Sequence, residues 1–123
     1  MNILCWTLQI VAATVFLYSG SLKSWMSKER MIATGQTGVA PYPLPVLRIV
    51  AFAELAGAAG LLVPWLLGVD RWLTPLAAAL LIPIIIGALA AHASLREFKQ
   101  VFIVNTPLLA VLAGVVAIRL GDL

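Results

Sequence analysis

The sequence predicts an all-α protein: a bundle of four transmembrane helices with antiparallel neighbours and a longer, structured first loop. Three observations predict it. Of 123 residues, 63% are hydrophobic and only 11% are charged, against roughly 45–50% apolar residues in an ordinary soluble domain. The apolar residues gather into four runs, at 3–22, 45–67, 72–91 and 101–120. The connections between the runs are very unequal in length.

Each run holds 20 to 23 residues, enough for a helix to cross a hydrocarbon core about 30 Å thick. Backbone polar groups inside lipid must satisfy each other, which favours helices in such runs. Alternating segments of the kind that build membrane barrels are not visible. One domain covers 1–123. The first run has no Lys or Arg before it and outlasts a usual signal-peptide core, so a retained span is expected, although Ser19-Gly20-Ser21 has the small residues of a cleavage site.

The connection 68–71 is a four-residue turn, which makes the second and third helices an antiparallel hairpin. The third loop, 92–100, is short and polar. The first loop, 23–44, is long. Its beginning, SWMSKERMIA, mixes apolar and charged residues and suits a short interfacial helix. Its remainder, TGQTGVAPYPLP, carries two glycines and three prolines and reads as an ordered turn region. Pro45 can open the second helix, where a missing N–H costs nothing. Pro83 should kink the third helix. Pro107 is expected to leave the early fourth span bent or broken, because a helix from Pro107 to Leu120 has only 14 residues.

The net charge of +3 comes from eight basic and five acidic residues, most of them near the run ends. No basic stripe with interleaved aromatics suggests nucleic acid as a partner. Lys23, Lys28, Arg30, Arg48, Arg96 and Lys99 belong to loops one and three, against Arg71 and Arg119 on the other side. That asymmetry predicts loops one and three in the cytoplasm and the termini outside. Trp6, Trp25, Trp65 and Trp72 sit near expected interfaces and suit an aromatic belt.

The stretch RIVAFAELAGAAGLLVPW places Glu54 within apolar sequence. Nine residues beyond Pro45, it lies about 13 Å along the helix axis, where a charged acid costs about 2.5–3.5 kcal/mol on insertion scales. It should face the bundle interior, pair with a cation or stay protonated. Ala51, Gly57 and Ala58 share its face and Gly60 follows, a small-residue surface that favours close helix packing. Arg48 points about 240° away on the same helix, so it is a poor intrahelical partner. Lys23, His92 and Asn105 lie near the loop-one and loop-three ends of the other spans. These groups predict a polar cup above Glu54, open to one side of the membrane. The bland alternatives are a structural interhelical bond for Glu54, snorkelling for Lys23 and Arg48, an interfacial position for His92 and a helix cap for Asn105.

Nucleotide-loop, metalloprotease and nucleophile-elbow motifs are missing from the sequence. Lone Cys5 cannot make an internal disulfide or a CxxC pair, and with lone His92 it gives no convincing metal cluster or haem pair. No metal is expected, and the isolated chain is not expected to be an enzyme.

YSGSLKSW ending the first span, LRIVAFAELAGAAGLLVP in the second, GALAAH ending the third and NTPLL in the fourth resemble the DoxX-like family across nearly the whole chain. The most specific elements are Gly20 with Lys23, and Arg48 with Glu54 and Gly57. The resemblance implies a four-helix membrane bundle and carries Lys23, Arg48, Glu54 and His92 onto the family's polar positions. It implies no single reaction, since members include a subunit of a thiosulfate:quinone oxidoreductase, a component of membrane thiol-stress responses and a receptor assembly chaperone. Three functions stay open: an accessory subunit or assembly factor with a polar pocket around Glu54; a quinone- or lipid-binding subunit of a membrane oxidoreductase; and a small proton-coupled transporter. The corresponding partners are the bilayer with a membrane protein or a second copy, and the ligand is none, a quinone or a bound lipid.

Overall fold

The computed structural model describes residues 2–123. Its long helices are α1 (Asn2–Trp25), α3 (Leu44–Leu67), α4 (Leu73–Ser94) and the fourth span, Phe98–Gly121. That span is built from α5 (Phe98–Gln100), a π-helical turn (Val101–Asn105) and α6 (Thr106–Gly121). The short α2 (Lys28–Ala33) and a 3-10 turn (Thr37–Val39) give the first loop its order. All four spans are long and apolar enough to cross a membrane. Ile10, Leu17, Ile49, Phe52, Leu66, Leu80 and Phe102 face outward, as a lipid-solvated bundle requires.

Around the bundle, α1 packs on α3, α3 on α4, α4 on α6 and α6 on α1. Ala12, Phe16, Leu61, Leu81, Leu112 and Val115 meet in the central core. Small residues set how closely the helices approach. A Cβ on Gly57 would lie 2.7 Å from the Leu81 side chain, and one on Gly60 2.8 Å from the Ala77 Cβ. A Cβ on Gly20 would meet the Ala51 carbonyl oxygen at 2.9 Å. The last contact is the most restrictive, because backbone cannot swing aside as a side-chain tip can.

Helix ends follow local chemistry. Ser27 caps α2, its side chain accepting from the Arg30 amide. Gly68 closes α3 in the left-handed conformation, φ 68°, and Val69 N–H returns to the Pro64 carbonyl. α1 runs three residues past its expected end, which brings Lys23 into its last turn. α4 continues through Pro83 as one helix.

Pro107 does not break the fourth span, one of the two outcomes the sequence offers; the irregularity expected there takes the form of a π-helical turn. The Thr106 amide bonds back to the Val101 carbonyl, five residues earlier, in the π-helical turn. This wider turn absorbs a proline that has no N–H to give and whose ring crowds the preceding turn. The helical span therefore keeps 24 residues.

A correction concerns the opposite end of the bundle. The sequence reading gathers polar groups at one face and treats Arg119 as a flanking charge. Arg119 is instead 1% exposed. It donates from Nε to Gln9 Oε1 at 2.7 Å and from Nη1 to Asp122 at 3.1 Å. Gln9 in turn donates to the Leu61 carbonyl. The guanidinium lies 3.9 Å from the centroid of the Trp65 ring and 5.7 Å from that of Trp6. Those two tryptophans thus hold a buried cation instead of serving only as interfacial anchors.

Candidate functional site

The site starts where α1 and α3 nearly touch. Gly20 allows the contact, and Lys23 follows one turn later on α1. Its Nζ donates to Glu54 Oε1 at 2.7 Å. The Lys23 side chain is 14% exposed and that of Glu54 2%, so the ammonium reaches inward to a carboxylate within the bundle. Arg48 is the wrong side of α3 to join them. Its Nη1 donates at 2.6 Å to the Lys23 carbonyl, closing one of the unpaired acceptors at the α1 C-terminus. Arg48 therefore secures the backbone that carries Lys23.

His92 ends α4 and is 6% exposed. Its Nδ1 lies 2.9 Å from Glu97 Oε1, and the carboxylate accepts, so Nδ1 carries the proton. Thr37 Oγ1 donates to the same Glu97 oxygen at 2.8 Å. The imidazole also packs on Gly38, where a Cβ would stand 2.7 Å from Nε2. Tyr42 donates to the Gly87 carbonyl at 2.6 Å. These contacts lay the first loop over the ends of α4 and the fourth span.

Beneath that loop lies a cavity of about 520 Å³. Its walls are mainly apolar, with Phe16, Val50, Pro83, Ile85, Val104 and Leu108 among them. Its polar lining includes Lys23, Gln36, Glu54, His92, Gln100 and Asn105, beside the hydroxyl-bearing Tyr18, Ser19, Thr34 and Tyr42. Glu54 Oε2, Asn105 Oδ1 and both amide atoms of Gln36 are buried with no protein hydrogen-bond partner. Unpaired buried polar atoms are uncommon and costly. The three residues that carry them, Gln36, Glu54 and Asn105, all line this one cavity, which has the make-up to receive an apolar molecule with a polar head.

The sequence-derived candidates divide accordingly. Lys23, Glu54, His92 and Asn105 share the cavity. Arg48 does not line it, because its six-residue offset from Glu54 turns it toward the α1 terminus. Asn105 makes no side-chain cap to α6; it ends the π-helical turn and is 4% exposed. Ala51, Gly57, Ala58 and Gly60 pack the helices. Gln36, Thr37, Gly38, Tyr42 and Glu97 were not singled out by the sequence. An acid five residues beyond the single histidine was the available signal for Glu97, but nothing local pairs it with Thr37. Among the described residues, no group of three or more His, Cys, Asp or Glu side chains could hold a metal ion.

The loop contact has a pH dependence. The His92 hydrogen bond, and then that from Thr37, hold Glu97 below the ordinary carboxylate range. A lowered folded-state value means the stabilisation is present above the ordinary range and is lost as pH falls through the lower value. Amide exchange over 37–42, corrected for its intrinsic pH dependence, should therefore accelerate in that acidic window. Glu97→Gln should show faster exchange already at neutral pH and a smaller acid step. An unchanged pH profile in Glu97→Gln would remove Glu97 as the cause.

The four spans and their lipid-facing side chains define an integral, multi-pass membrane protein. Residues 7–115 match the DoxX-like family, and the chain belongs to it. Among curated proteins and among solved structures, no match to the chain was found.

Proposed function

We propose that this DoxX-like protein is an accessory membrane subunit that holds a lipid-soluble small molecule, of quinone or lipid class, in the cavity around Glu54. The observation that carries this reading is that three residues with buried, unpartnered polar atoms line one mainly apolar cavity. Its size falls in the range of small-molecule sites, which combine apolar walls with a few placed polar groups. Lys23 and Glu54 supply a donor and an acceptor deep in the bundle, while the first loop restricts access. The ligand's tail lies against Phe16, Ile85 and Val104, and its head meets Lys23, Glu54 and Asn105.

An assembly factor that works only through its outer helical faces does not require this cavity. A proton-coupled transporter requires Glu54 to change partners during transport; its direct ion pair with Lys23 offers no particular support for that cycle.

Native mass spectrometry on protein released directly from membranes tests the proposal. Wild type should retain one defined adduct of quinone or lipid mass. Ala88→Phe, which adds apolar volume at the cavity wall, should lose that adduct while remaining folded. The same adduct on both proteins would assign it to the outer lipid shell. A stoichiometric protein partner with no small-molecule adduct would favour the assembly-factor reading instead.

A further inference from the structure

We propose that the cavity takes its ligand through a hydroxyl head and therefore prefers the hydroquinone form of a quinone-class molecule to the oxidised form. This inference rests on the ligand-binding reading above and specifies the head that Glu54 recognises.

The argument begins with the Lys23–Glu54 pair. Glu54 uses Oε1 to accept from the Lys23 ammonium at 2.7 Å. Its other oxygen, Oε2, is buried without a partner, and the residue is 1% exposed. As an ammonium's carboxylate partner, Glu54 presents an acceptor at Oε2. Lys23 has given one of its three N–H donors to Oε1 and lines the same cavity.

A hydroxyl can answer both groups. Its hydrogen goes to Glu54 Oε2, and its oxygen accepts from Lys23. A quinone carbonyl can accept from Lys23 but has no hydrogen for Oε2, so it leaves the buried carboxylate oxygen bare. Asn105 Oδ1 is a second buried acceptor without a partner, and Gln36 Nε2 a buried donor without one; a hydroxyl, which donates and accepts, can serve either kind, a carbonyl only the donor. Long-chain alcohols share this chemistry, so the measurement must separate them from hydroquinones.

The test uses the full-length protein in lipid nanodiscs. Isothermal titration calorimetry compares decylubiquinol, kept reduced under anaerobic conditions, with decylubiquinone and with geranylgeraniol. Decylubiquinol should bind at least about tenfold more tightly than decylubiquinone, the scale expected from leaving one buried polar group unpaired. The midpoint potential of the bound two-electron couple should rise by about 30 mV for each tenfold preference. Glu54→Gln places an amide beside Lys23 and offers an N–H donor toward the cavity, so it should narrow or reverse the ratio.

The wild-type ratio decides the inference even where the variant fails to fold. Equal affinity, or tighter binding of decylubiquinone, overturns the hydroxyl preference while leaving the ligand-binding reading intact. Binding of geranylgeraniol without either quinone form overturns the quinone class and retains the hydroxyl head. Binding of none of the three probes overturns both the inference and the quinone reading.

Discussion

Replacing Lys23 by Met is expected to lower the unfolding free energy by about 3–5 kcal/mol, the usual scale for removing one partner of a buried ion pair. The reason is the unequal burial of the two groups: the Glu54 side chain is 2% exposed and that of Lys23 14%. Without its ammonium, Glu54 is an acid in the bundle interior with both oxygens unpaired. Glu54→Leu should cost less, because a lysine in the last turn of α1 can swing its head toward the interface. The double variant Lys23→Met with Glu54→Leu should recover much of the loss, since well-packed apolar residues often replace a buried pair without net cost. The Arg48 bond to the Lys23 carbonyl survives all three changes, so the comparison isolates the side-chain pair. Unfolding in mixed micelles titrated with sodium dodecyl sulfate supplies the measurement. Equal losses for the two single variants would refute the asymmetry.

That pair also marks the boundary of what the sequence could reveal. The four spans were legible because apolar runs of sufficient length leave few alternatives. An interior Glu54 followed from its depth and from the small residues beside it. Its partner did not follow: the helical angle disfavours Arg48, but Lys23, His92 and Asn105 all lie toward the same ends of neighbouring spans. The choice depends on how far α1 extends, since its added turn carries Lys23 to the carboxylate. Likewise, Pro and Gly in the first loop announced turns without showing that Gln36 and Tyr42 would fold over the cavity. Pro107 signalled a defect in helical pattern; the π-helical turn that accommodates it changes the backbone period, which side-chain hydropathy does not encode. Arg119 was misplaced because a single cation near the end of an apolar run looks the same whether it flanks the membrane or turns inward.

For that inward-turned Arg119, replacement by Met is expected to cost about 3 kcal/mol, combining a desolvated cation–π contact with an acceptor left unpaired. The substitution removes the donor to Gln9 and the cation against Trp65 and Trp6. Gln9 remains tied to the Leu61 carbonyl, so its Oε1 has little freedom to seek water. Arg119→Lys should restore only part of the stability. Lysine keeps the charge but lacks the planar fork that meets Gln9 and Asp122 while lying against an indole. Trp65→Leu should lower the stability of the Arg119 protein more than that of Arg119→Met, because the ring's contact with the cation is already absent in the latter. Thermal unfolding of wild type and the four variants in one detergent measures both effects. Full recovery with lysine would show that a general positive charge suffices at this end of the bundle, and additive effects of Arg119→Met and Trp65→Leu would remove the cation–π contact as a source of the stability.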